Sequence, residues 1–249
     1  HRRGARSGMT ACPVWSPLSG ASLTDRVFAG GTPVGVTEVA QRRDERAEYQ
    51  RRLCAAHPGE ALVAAKLNIA GPVKSTPVIA QGFAALMGRL DAALAANVSG
   101  IAPGRPVETV ADWTGDAGPA RFLIVAATPA DVKRAVAAVE DHEPGGRLRD
   151  LDVWFQPGPA APARALSRTE LGESPRQCLV CERGARGCAR SRRHSLADLQ
   201  AATARLMQDA LLAEAAPYGH EVPGGHATMP GPDPSIRQQP APASETLPR

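Results

Sequence analysis

The sequence predicts an α+β fold: a ferredoxin-like split βαβ antiparallel sheet with helices on one face, plus a Cys/His-rich loop and a C-terminal helix. Three observations lead there. Apolar runs of strand length alternate with helix-period segments in the order strand, helix, strand, strand, helix, strand. The turn Thr114-Gly-Asp-Ala-Gly-Pro119 joins the second and third strands as a hairpin. The helical segments open on Thr or Ser residues suited to capping, with Pro in the first turn of two of them.

Taken in order, residues 37–56 are charged and helical in pattern, with Thr37 as candidate N-cap. Residues 61–69 form a strand-like run that ends at Ala70-Gly-Pro72. Residues 77–96 are a long apolar-periodic helix that begins at Pro77. Residues 107–113 and 121–127 are the hairpin strands. Thr128, Pro129 and Asp131 open a second core helix, which runs to about residue 141 and is stopped by Pro144-Gly-Gly146. Residues 148–155 make the next strand, and a short one is expected over 165–171. Ser195 caps a last helix, to about residue 216.

Residues 1–36, rich in Gly, Ser, Pro and Arg without a period, are expected to be disordered. The Pro-rich residues 217–249 are expected to form a disordered tail. The folded domain is therefore placed at 37–216. No apolar run approaches the ~20 residues of a membrane span, and the first thirty residues lack the apolar stretch of a signal peptide. The five Cys, an odd number, point to reduced thiols and a cytoplasmic protein. A net charge of +4 suits a phosphate-rich ligand or an acidic partner and does not by itself argue for nucleic acid.

Asp150 and Asp152 stand one residue apart in the strand that follows Gly145-Gly-Arg147. Alternation puts both carboxylates on one face, about 7 Å apart at a rise of ~3.3 Å per residue, and Leu151 and Val153 on the other. Two like charges so placed repel. A Mg²⁺ ion removes the conflict and at the same time binds phosphate oxygens. The plainer alternative is a solvated face with Arg147 and Arg149 as local partners. In the loop from Asn68 to Pro77, Lys74 lies just before a helix N-terminus, where anions are favoured, and Ser75 or Thr76 caps that helix. An ordinary turn with an exposed Lys would have the same sequence.

Cys178, Cys181, Cys188 and His194 have the spacing C-x₂-C-x₆-C-x₅-H. Four soft ligands so spaced suit a closed structural Zn²⁺ site; reduced thiols in a loop are the alternative. Arg183, Arg186, Arg190, Arg192 and Arg193 surround them as a basic cluster. Such a segment also reads as a zinc-knuckle nucleic-acid-binding module, but aromatics for stacking are few and the basic residues keep to one loop.

These pieces together resemble the apo-citrate lyase phosphoribosyl-dephospho-CoA transferase family, also called holo-citrate lyase acyl carrier protein synthase. The resemblance lies in residues 146–153, 178–182 and 188–195, with Arg43-Asp-Glu-Arg46 and the Asn68 to Lys74 loop as two further matches. It covers roughly residues 37–212. Arg149 departs from it, since the family usually has an aromatic or other bulky residue there. The resemblance implies transfer of a 2'-(5''-phosphoribosyl)-3'-dephospho-CoA group from its triphosphate precursor to a Ser of the citrate lyase acyl carrier protein (gamma subunit), with release of diphosphate. Asp150 and Asp152 would be catalytic and hold Mg²⁺, Lys74, Arg147 and Asn68 would bind substrate, and the basic loop would dock the carrier. No nucleic acid and no membrane enter this picture. The alternative within the enzyme class is the same transfer to the malonate decarboxylase carrier.

Overall fold

The computed structural model describes residues 22–98, 107–158 and 160–215. Its elements are α1 (Leu23–Phe28), α2 (Val36–Ala56), β1 (Ala61–Leu67), α3 (Pro77–Asn97), β2 (Glu108–Trp113), β3 (Ala120–Val125), α4 (Pro129–His142), β4 (Arg149–Phe155), β5 (Arg164–Leu166), α5 (Ala185–Arg190) and α6 (Leu196–Ala215). The α+β class is as expected. The strands form one sheet in the order β2-β3-β1-β4-β5, and every neighbouring pair is antiparallel.

β1 is the central strand, and its sequence Ala-Leu-Val-Ala-Ala-Lys-Leu says so: a strand covered on both faces has no need of polar alternation. Ala61, Val63 and Ala65 face one side, with Leu123, Val125, Leu151 and Val153 from its neighbours. Onto them pack Ile79, Leu86, Leu90 and Leu94 of α3, together with Val132, Val136 and Val139 of α4. α6 lies against α3 and packs closely at Gly82, where a Cβ would stand 1.8 Å from Met207 Sδ. α3 meets the length and hydropathy of a membrane span, contrary to the sequence expectation. Its apolar stripe is nevertheless buried in this core.

The opposite face carries Leu62, Ala64, Phe122 and Ile124, and α2 covers it through Tyr49, Leu53 and Cys54. This corrects the expectation of helices on one face. The apolar strip of α2 is confined to its last turns, and the charged residues that precede it hide the strip in a sequence reading. Phe122 meets Tyr49 and Trp113 in T-shaped contacts and those two rings tilt against each other, at centroid separations of 4.9–5.1 Å, and the Arg42 guanidinium lies 4.2 Å above Trp113. Gly35, not Thr37, occupies the N-cap of α2 and gives no side-chain bond.

A second difference concerns residues 22–36, within the segment expected to be disordered. Ser22 and Asp25 form a capping box for α1, Val27 is fully buried, and its carbonyl accepts a 2.7 Å bond from the Thr76 hydroxyl. A single turn of helix with one core residue leaves no period for the sequence to show. Residues 1–21 and 217–249, the remainder of the two segments expected to be disordered, lie outside the described residues.

The turn into β4 depends on glycine. Gly145 has φ +67°, and a Cβ on Gly146 would stand 2.6 Å from the carbonyls of Val139 and Glu140. Arg149, the first residue of β4, points away from the aspartates and into the helical side of the sheet. It is fully buried, donating to Leu86 O at 3.2 Å and Val139 O at 3.4 Å, while its Nη2 has no partner. Burial pushes its pKa down to about 10. A Met of similar length would keep the packing and remove the desolvated charge, so Arg149→Met should raise stability by about 1–2 kcal/mol. Urea unfolding midpoints of the two proteins check this.

Candidate active site

Asp150 and Asp152 do share a face, the one covered by α2. Register sets Asp150 across from Lys66 and Asp152 across from Ala64 on β1. The Lys66 ammonium bonds Asp150 Oδ2 and lies 3.3 Å from Asp152 Oδ2. Arg176, from the segment after β5, donates to Asp150 Oδ1 at 2.8 Å. The partners are thus Lys66 and Arg176, and not Arg147 or Arg149. Where the sequence suggested a Mg²⁺ ion or local arginines, the structure sets a lysine directly across the ladder, which offsets the repulsion. Cross-strand neighbours in an antiparallel pair stand within about 5.5 Å, close enough for a salt bridge.

These charges set the state of Asp150. Burial raises its pKa, but the Lys66 and Arg176 charges and their hydrogen bonds outweigh it and hold the carboxyl below the usual aspartate range. Arg46 of α2 also senses both carboxylates, which favour its charge while burial and Arg42 disfavour it, with a net lowering.

The backbone that carries the pair is held from α4. Leu151, between the two aspartates, donates its N–H to Glu140 Oε1 at 2.9 Å, and its carbonyl accepts from Lys133 Nζ at 3.1 Å. β5 pairs with β4 only from Val153 onward, so two buried side chains of α4 complete the edge where the strand ends. Glu140 also accepts from Arg168 Nη2 at 2.6 Å and lies 3.6 Å from Arg176. A line of alternating charge therefore runs from Arg168 through Glu140, Arg176 and Asp150 to Lys66 and Asp152.

The other expected substrate residues are placed differently. Asn68 is exposed at the end of β1, and its N–H donates to Leu148 O at 2.8 Å. Lys74 donates to Ile69 O within its own loop, and burial lowers its pKa. Thr76, not Ser75, caps α3 by accepting from Ile79 N. Arg147 donates to Gln177 Oε1 at 2.8 Å and to Cys178 O at 3.4 Å. Neither Lys74 nor Arg147 pairs with an aspartate among the described residues. Arg176 and Lys66 are the residues sequence reading missed. Lys66 was legible as the polar residue at the end of an apolar strand, but Arg176 lies in a loop with no pattern to place it.

Cys178, Cys181, Cys188 and His194 converge, their ligand atoms all within 4.8 Å of one another. The Cys181–Cys188 sulfur separation is 3.6 Å, and Cys181 Sγ lies 3.4 Å from His194 Nε2. A tetrahedral zinc with Zn–S near 2.3 Å sets its sulfurs roughly 3.8 Å apart, so the group fits. Cys178 is opposed by burial, but the N–H groups of Val180 and Cys181 and the two nearby thiols bring its pKa down; burial and the same crowding push Cys188 up to about 11. Cys54, on the sheet-facing side of α2, is pushed up to about 11 by burial. Through Arg147, the Cys/His segment is tied to the turn that starts β4.

Two outcomes follow. Removing Arg176 takes away one cause of the depressed Asp150 pKa. A carboxyl held low in the fold stabilises it above its unfolded pKa, and that contribution is lost as pH falls through the folded value. Arg176→Gln should therefore be less stable than the parent at neutral pH, with the difference shrinking as pH falls through about 4, as unfolding midpoints measured downward through that range will show. The purified chain should carry one zinc by elemental analysis, and Cys181→Ser should release it and lower the melting temperature.

Residues 34–210 match the family described as apo-citrate lyase phosphoribosyl-dephospho-CoA transferase. A Streptococcus pyogenes serotype M5 (strain Manfredo) protein named "Probable apo-citrate lyase phosphoribosyl-dephospho-CoA transferase" is 30% identical over 185 residues, 74% of this chain and 91% of that protein. The apo-citrate lyase phosphoribosyl-dephospho-CoA transferase of Escherichia coli O1:K1 / APEC is 31% identical over 182 residues, 73% of this chain and 93% of its own. Protein CitXG of Leuconostoc mesenteroides subsp. cremoris is 31% identical over 171 residues, 69% of this chain and 34% of that longer protein. A match that takes in both strands of the aspartate–lysine site, the helix above it and the Cys/His segment settles membership: this chain belongs to the apo-citrate lyase phosphoribosyl-dephospho-CoA transferase family of enzymes.

Proposed function

We propose that the chain transfers the 2'-(5''-phosphoribosyl)-3'-dephospho-CoA group from its triphosphate precursor to a Ser hydroxyl of the citrate lyase acyl carrier protein, releasing diphosphate. The observation that carries the reading is the pair Asp150 and Asp152 on a sheet face beneath α2, with Lys66, Arg46 and Arg176 around them. A site built of two carboxylates among three cations suits a reaction in which a polyphosphate arrives and a smaller one leaves.

The two aspartates take different parts. Asp150 is paired on both oxygens and held ionised, which makes it a poor proton acceptor and a good anchor for Lys66 and Arg176. Asp152 has, among the described residues, a single side-chain hydrogen bond, from Lys66, and is the more exposed, with 45% of its side chain accessible against 30%. Asp152 takes the proton from the Ser hydroxyl as its oxygen attacks the α-phosphorus; the bond from that phosphorus to the diphosphate oxygen breaks. Lys66 and Arg46 neutralise the departing diphosphate. Carboxylates on one strand face are the donors Mg²⁺ takes beside phosphate oxygens, so Asp150 and Asp152 would hold it, and the ion would add charge neutralisation at the leaving group.

The five exposed arginines of the Cys/His segment, Arg183, Arg186, Arg190, Arg192 and Arg193, form the surface for an acidic carrier domain. The Cys/His segment positions that surface and does no chemistry. The enzyme is proposed to act in the cytoplasm on a soluble acceptor. Asp152→Asn should reduce transfer at least about 100-fold while leaving the unfolding midpoint near that of the parent. The mass gain of the apo carrier is the readout. Full transfer by this variant would remove Asp152 from the mechanism, and modification of the malonate decarboxylase carrier in preference to the citrate lyase one would change the acceptor.

A further inference from the structure

The cleft beneath α2 is larger than the aspartate pair needs. It has a volume of about 370 Å³ and is lined by Arg43, Arg46, Ala47 and Gln50 from α2 and by residues of β1, β3 and β4. The sheet explains the hollow. Cross-strand register makes three rows on this face: Ile124–Leu62–Trp154, Phe122–Ala64–Asp152 and Ala120–Lys66–Asp150. The first row is filled by Tyr49, Leu53 and Cys54. Beyond it the side chains shrink to Ala64 and Ala120 on the floor and Ala47 on the roof, leaving a slot that ends at Lys66 and Asp152.

One polar side chain stands in the wall. Gln50 is 93% buried, being 7% exposed, an unusual place for an amide. Trp154 also lines the slot. A slot of this volume, apolar in its floor and roof, with an indole and an amide in its walls and cations at one end, matches a flat heteroaromatic ring joined to phosphates.

We propose that this slot is the base-binding pocket, holding the adenine of the dephospho-CoA portion. It lies between Ala47 and the Ala64/Ala120 floor, with the Gln50 amide as its polar contact and Trp154 in the wall. Arg46 and Lys66 then draw the phosphates toward Asp152. The inference rests on the transfer reading for the identity of the ring. It adds that the donor is recognised under α2 at its nucleoside end.

Binding can be measured apart from transfer. Calorimetric titration of the full chain should show 3'-dephospho-CoA binding and 4'-phosphopantetheine, which lacks the base, failing to bind. Ala47→Leu, a helix-compatible change that fills the slot from above, should weaken 3'-dephospho-CoA binding by about ten- to hundredfold. Gln50→Leu, which deletes the amide at similar size, should weaken it by about tenfold. Both variants must keep the parental circular dichroism; should Ala47→Leu not fold, Gln50→Leu decides. Unchanged affinity in these variants, or phosphopantetheine binding as tightly as dephospho-CoA, overturns the pocket even if carrier modification proceeds. Binding that behaves as expected in a chain that modifies no carrier overturns the transfer reading and keeps the pocket.

Discussion

The organising constraint of this molecule is two negative charges on one strand, two residues apart, beside a central strand that is otherwise apolar. Lys66 resolves it. Because β1 and β4 run antiparallel in a register that pairs Lys66 with Asp150, one ammonium reaches both carboxylates. Everything that fixes that register serves the site: the Gly145-Gly146 turn against the end of α4, the bond from Asn68 N–H to Leu148 O, and the capture of both Leu151 backbone groups by Glu140 and Lys133. A slip of one residue would send the carboxylates into the apolar face.

Electrostatics on the two sides of β4 follow opposite rules. On the α2 face, cations and carboxylates alternate and remain partly wet. On the helical face, Arg149 is dry and leans on carbonyls, and burial depresses its pKa. Alternation along a strand makes this possible, since consecutive residues inhabit different media. Arg149 stands next to Asp150 in sequence and yet reaches none of the same partners.

Much of this was legible in the residues. Periodicity and caps located the four longer strands and the long helices to within a few positions, because Thr76, Thr128 and Ser195 accept from the N–H three residues on, while the strand expected over 165–171 is only Arg164–Leu166, followed by a helical turn at Thr169–Leu171. The shared face of Asp150 and Asp152 follows from strand geometry alone, and the convergence of Cys178, Cys181, Cys188 and His194 follows from short spacing. What escaped was long-range. Arg176 meets Asp150 across 26 positions of chain and Lys66 across 84, distances over which no local pattern speaks. α1 was too short to show a period, and the covering role of α2 was masked by its charged first half. Lys74 and Arg147 looked like free cations until the loop carbonyl of Ile69 and the Gln177–Cys178 segment were seen to claim them.

The sheet is one layer of backbone between an oily interior and a charged cleft. Residues such as Ile79, Leu90 and Val136 meet one side and Ala64 and Asp152 the other, so the same strands answer to two selective pressures at alternate positions. Substitutions that tune folding and substitutions that tune ligand choice fall on interleaved residues that do not touch. Such a layout acts as insulation: the core is free to drift with the temperature or composition a lineage demands while the chemistry on the far side stays as it was.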